Sequence, residues 1–77
     1  MITSGQIKAA RALLGITAKT LAEISEVAYT TVVRIESSDG VPSGQVKTLD
    51  AVQRALEKSG IEFIGTPESG AGVRFRP

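Results

Sequence analysis

Residues 17–36, Thr-Ala-Lys-Thr-Leu-Ala-Glu-Ile-Ser-Glu-Val-Ala-Tyr-Thr-Thr-Val-Val-Arg-Ile-Glu, carry two apolar series with one interruption. Leu21 and Ile24 stand at the three-residue spacing of a helix face, and Ala22 beside them is small enough to let a second helix cross closely. The series breaks at Ser25-Glu26. It restarts as Val27, Thr31, Val32 and Ile35, again at helical spacing. The stretch reads as two short helices, about 18–25 and 28–36, joined by a tight turn, with Thr17 capping the first.

Upstream, Thr3-Ser4-Gly5-Gln6 is a helix start in which Thr3 caps the amide of Gln6 and Gln6 reaches back to Thr3. Ile2 is placed to staple onto Ile7. Ile7, Ala10 and Leu14 then form one apolar stripe of a helix about 4–14, with Lys8 and Arg11 expected in solvent. Gly15 supplies the left-handed residue that ends it. Downstream, Ser37 to Gly44 is a polar loop rich in turn formers, and a longer helix, about 45–59, follows. Leu49, Val52 and Leu56 are its buried face, with Val46 and Ala55 at the margins. Lys58 suits its last turn, and Ser59-Gly60 closes it.

The tail alternates. Ile61-Glu62-Phe63-Ile64 and Val73-Arg74-Phe75-Arg76 flank a Gly-rich loop, which predicts a β-hairpin at about 61–76. Keeping like residues on one face pairs Phe63 with Val73, Ile61 with Phe75 and Glu62 with Arg74; a slip of one would set Phe63 opposite Arg74. A lone hairpin is marginal in water, so its apolar face must rest on the helices, on a second copy, or on both. The chain is expected to form a homodimer, with Ile61, Phe63, Val73 and Phe75 as the candidate dimer-interface residues.

Composition removes several function classes. The 77 residues suffice for a single domain, 1–77, with one core. There is no cysteine and no histidine, so disulfides, the usual zinc sites and nucleophile–histidine catalysis are excluded; no metal, cofactor or catalytic residue is expected. Glu23, Glu26 and Glu36 could in principle do acid–base work, but a chain of this size has little room for a pocket, and the chain is not read as an enzyme. No segment resembles a signal or a membrane span, so a cytoplasmic protein without membrane attachment is expected, nucleoid-associated when bound to DNA.

Two short helices around a tight turn are the layout of a helix-turn-helix, in which the first helix braces the second across the DNA major groove. Net charge is only +1, lower than is usual for a nucleic-acid binder. Placement matters more than the sum: Lys8, Arg11, Lys19 and Arg34 lie in the N-terminal half, and Glu57, Glu62 and Glu68 in the C-terminal half.

Leu14-Gly15-Ile16-Thr17 leading into Leu21-Ala22, then Val27, Thr31-Val32 and Arg34-Ile35-Glu36, resembles the Cro/phage-repressor (Xre-type) helix-turn-helix family. Leu49, Ala55-Leu56 and Gly60 match the helix that follows in that family. The ending resembles its small stand-alone bacterial members with a C-terminal hairpin. The resemblance spans nearly the whole chain and implies a mainly α fold: a four-helix, lambda-repressor-like helix-turn-helix domain with a C-terminal two-stranded β-hairpin. It departs from the family pattern at three positions. Ala18 stands where Gln usually contacts a phosphate, Glu26 where the turn usually has Gly, and Ala28 where a Ser usually caps the recognition helix.

The docking of that family would bring helix 28–36 into the major groove. Tyr29, Thr30, Val33 and Arg34 are then the base-reading candidates, and Arg34 could instead pair with a neighbouring acid. Thr17, Lys19 and Ala28 are the phosphate candidates. Val33, apolar on an outward face, could meet a thymine methyl group or belong to a protein interface. The reading that follows is a dimeric repressor of transcription that binds double-stranded DNA at a palindromic operator. The alternative is an antitoxin-like or accessory module with a protein partner, favoured by Ala18, Glu26, Ala28 and the near-neutral charge.

Overall fold

The computed structural model describes residues 2–77 and contains four helices followed by an antiparallel hairpin. These are α1 (Ser4–Leu14), α2 (Ala18–Ser25), α3 (Tyr29–Glu36), α4 (Val46–Lys58), β1 (Ile61–Ile64) and β2 (Gly72–Phe75). The fold is mainly α, as the periodicity and the family resemblance imply.

Local chemistry sets the helix ends. At α1 the Thr3 side chain accepts from the amide of Gln6 at 3.1 Å, and Gln6 Oε1 accepts from the amide of Thr3 at 2.8 Å, completing the capping box. Gly15 ends α1 in the left-handed region, and the amide of Ile16 returns to the carbonyl of Arg11 at 3.1 Å. The same device ends α2. Glu26 takes the left-handed position at φ 58°, and the amide of Val27 returns to the carbonyl of Ala22 at 3.1 Å. Glu26 is the only non-glycine with positive φ among the described residues, and its Cβ makes that conformation cost about 1 kcal/mol relative to glycine.

The core draws on every element except β2. Ile7, Leu21 and Leu56 are fully buried, and Val32, Ile35, Leu49, Val52 and Ile61 close around them. Each large aliphatic side chain so enclosed contributes about 1.5–3 kcal/mol. Two margins differ from the sequence reading. Ile24, expected on the buried side of α2, is 44% exposed, because the inward face of that helix turns toward Leu21, Ala22 and Ser25. The Ser25 hydroxyl donates to the carbonyl of Leu21 at 2.6 Å, so the helix buries this residue without an orphaned polar group. Val46, expected at the edge of the α4 stripe, is 66% exposed in the first turn of that helix.

The hairpin has the register that side-chain alternation selects: Ile61 opposite Phe75, Glu62 opposite Arg74 and Phe63 opposite Val73. Phe63 and Val73 pack against the helical core. A second tie is polar. Gln6, besides its capping role, donates through Nε2 to the carbonyls of Gly72 (2.9 Å) and Ile64 (3.3 Å), fastening the loop end of the hairpin to α1.

Candidate nucleic-acid interface

The position of α3 is set from behind by two charges. Arg11 of α1 and Glu36 of α3 meet in a two-pronged pair, Nε to Oε2 and Nη2 to Oε1, both at 2.7 Å. Arg11 Nη1 donates a further bond to the carbonyl of Ile16 at 3.2 Å, which adds the turn between α1 and α2 to the same network. Hydrogen bonding to Glu36 raises the Arg11 pKa further above its ordinary value, against the opposing effect of burial. Arg11 is therefore not the solvated helix-face charge that the sequence reading expected. It lies one turn beyond Ile7 on the inward face, and its guanidinium reaches the one buried carboxylate of α3.

A second stitch lies after α3. Ser4 donates its hydroxyl to the carbonyl of Ser38 at 2.5 Å, and its amide to the carbonyl of Gly40 at 2.9 Å. Ser37 and Ser38 fold their hydroxyls back onto the carbonyls of Val33 and Ile35, at 2.7 and 2.8 Å. The last turn of α3 and the loop beyond it are thus tied to the start of α1. Sequence reasoning missed both roles of α1. The available signal was the period itself: Arg11 continues the Ile7–Ala10–Leu14 stripe and Glu36 continues Val32–Ile35, so opposite charges fall at two inward positions.

With its inner face so engaged, α3 turns Tyr29 (53% exposed), Thr30, Val33 (41% exposed) and Arg34 outward. Three- and four-residue spacing puts these four side chains on one face. Ala28 is exposed at the head of the helix, where its side chain makes no capping hydrogen bond. Arg34 forms no ion pair among the described residues. Its guanidinium lies beside Gly44, where a Cβ on that glycine would stand 3.5 Å from Nη1, close to the start of α4.

Thr17 and Lys19 are exposed at the start of α2, with Thr17 Oγ1 accepting from the amide of Thr20 at 3.1 Å. Gln45, at the head of α4, makes no side-chain cap either, so the first amides of that helix face outward without a side-chain acceptor from it. The four hairpin candidates are placed elsewhere. Ile61 is enclosed in the core of its own chain, Phe63 and Val73 are half-buried against that core, and Phe75 is 45% exposed.

Among the described residues, no helix is long and apolar enough to cross a membrane. No curated protein sequence matches the chain. A family model described as "Helix-turn-helix" (HTH_3) matches residues 7–63, from the inward face of α1 through β1. That span is well over half of the chain and contains the braced α2–α3 pair, so the protein belongs to the Cro/C1-type helix-turn-helix family, whose members are DNA-binding regulators.

Proposed function

We propose that the protein is a transcriptional repressor that binds a palindromic operator as a homodimer and reads each half-site with residues 28–36. The observation that carries this reading is the outward face of α3: four exposed side chains on a helix held from behind by Arg11 and Glu36. Thr17, Lys19 and Ala28 serve as phosphate contacts, which set affinity and salt dependence without choosing sequence. Two copies would present their α3 helices about 34 Å apart, one turn of B-DNA. The hairpin supplies the contact between copies. Each strand pairs on one side only, and Ile64 and Phe75 leave apolar surface beside the unpaired edges. Repression follows from occupancy, when a bound dimer excludes polymerase from overlapping DNA. The protein then acts in the cytoplasm, on the nucleoid.

Selection of bound duplexes from a random pool at near-physiological salt tests the reading, alongside sedimentation in the same buffer. An enriched palindrome with half-sites about one turn apart, bound by a dimer, is the expected result. The exposed Tyr29 and Val33 also suit a protein-binding, antitoxin-like surface. A folded dimer that enriches no sequence would favour that second reading.

A further inference from the structure

We propose that α3 reads the C5 methyl groups of pyrimidines in the major groove, and not the hydrogen-bonding edges of purines. The inference rests on the DNA-reading role assigned to α3 above. Its basis is the chemistry of the face that α3 exposes. In helix-turn-helix docking the N-terminal part of the recognition helix meets the base edges. Here that part consists of Tyr29, Thr30 and Val33, all exposed. None is Arg, Lys, Asn or Gln, the side chains that make two-pronged bonds to guanine or adenine. What they offer is one methyl group from Thr30, two from Val33 and the Tyr29 ring, beside single hydroxyls on Tyr29 and Thr30 that cannot make a two-pronged bond.

Arg34 does not supply the missing donor at that end. It lies six residues beyond Ala28, about 9 Å farther along the helix at 1.5 Å per residue. Its guanidinium lies beside Gly44, near the start of α4. That is a place for a charge on the flanking backbone.

Membership of a DNA-binding family and the charge state of α3 itself favour DNA as the occupant of this apolar face. Glu36, the one acid on α3, is buried in its pair with Arg11, so the helix presents no unpaired carboxylate. Around it Lys19, Arg34 and Lys47 are exposed, and so are the acids Glu23, Glu26 and Asp39. A methyl-bearing helix with no unpaired carboxylate of its own fits thymine-rich DNA, where the T methyl is the apolar feature of the major groove. The same geometry extends to 5-methylcytosine, which carries an equivalent methyl group at C5.

The test uses the operator duplex obtained by selection, with one α3-facing thymine at a time replaced. Uracil removes only the methyl group, cytosine changes the base pair, and 5-methylcytosine changes the pair but restores the methyl. Affinity is read by fluorescence anisotropy at fixed salt. At two or more positions per half-site, thymine and 5-methylcytosine should bind alike, while uracil and cytosine each bind about fourfold more weakly, the effect of burying one methyl-sized group. Val33→Ala should erase this difference at one position. Equal affinity for thymine and uracil throughout would overturn the inference while leaving operator binding intact. A selection that enriches no sequence would overturn the DNA-reading role, and this inference with it.

Discussion

Arg11 and Glu36, 25 residues apart, form a two-pronged ion pair at 2.7 Å that joins the inward face of α1 to the last turn of α3. The carboxylate is buried and the guanidinium is about three-quarters covered. The pair does for α3 what no apolar contact could do as specifically: two parallel bonds fix rotation as well as distance.

Arg11→Ala removes one partner and leaves Glu36 buried beside an apolar core. The expected loss is about 2–4 kcal/mol, between the worth of hydrogen bonds to a charge and the cost of an orphaned buried ion. For a domain of this size that lowers Tm by more than about 10 °C. Arg11→Met combined with Glu36→Leu should recover most of the stability, because well-packed apolar side chains often replace a buried pair without loss. Thermal melts of the three variants check this; an Arg11→Ala protein as stable as the parent would show the pair to be incidental.

Gln6 separates two roles that meet in one side chain. Gln6→Glu keeps an oxygen to accept from Thr3 but has no donor for the carbonyls of Gly72 and Ile64. The hairpin should loosen while the α1 cap persists, at a cost of roughly 1–3 kcal/mol. Amide exchange is the measurement, and it should quicken in β1 and β2 but not in the first turn of α1. Unchanged protection in the strands would mean that Phe63 and Val73 hold the hairpin without help.

Glu26 pays for its left-handed backbone and sets a carboxylate just before α3. Glu26→Gly should raise stability by about 0.5–1 kcal/mol, the gain being trimmed by the freer unfolded chain. Glu26→Ala removes the charge but not the strain. Both variants should bind DNA more tightly at low salt, whereas only the glycine variant should melt higher. If both melt alike, the turn is not strained.

Arg34→Ala distinguishes base reading from a backbone contact. With the guanidinium beside Gly44, the expected outcome is an equal loss on specific and random DNA, together with a salt dependence reduced by about one phosphate contact. A loss confined to the operator would instead assign Arg34 to a guanine.

Acid should act on the hairpin through Glu62. Hydrogen bonds from Arg74 and Arg76 hold its carboxyl down to about 2, from an ordinary 4.5. A carboxyl with a folded pKa below its unfolded value stabilises the fold fully above about pH 4.5, and that contribution fades as pH falls toward 2. Denaturant titrations of the parent and of Glu62→Gln should therefore differ by a constant above pH 4.5 and converge below it. A gap that persists at pH 2 would assign the difference to packing instead of charge.

Rules that act within a few residues were legible in the chain. Thr3 and Gln6 announce the capping box, Gly15 and Thr17 mark the boundary between α1 and α2, and alternation along Ile61–Ile64 and Gly72–Phe75 selects one strand register. These signals suffice because capping geometry and the two-residue period of a strand are local. The outward set on α3 follows in the same way, from the need to bury Val32 and Ile35.

Tertiary structure decided what depends on how the elements turn toward one another. An eight-residue helix makes little more than two turns, so its pattern leaves the inward direction loosely defined; α2 settled on Ala22 and Ser25 and left Ile24 at the rim. The bond from Ser4 to Ser38, the second role of Gln6 and the placing of Arg34 beside Gly44 likewise bring together residues whose neighbours in sequence do not predict them. Arg11 and Glu36 lie between the two cases. Helical period is compatible with both charges inward, yet a charge at Arg11 reads as solvent-facing until the packing of α1 against α3 supplies its partner, because an ion pair needs two orientations to agree and a one-dimensional pattern specifies each helix separately.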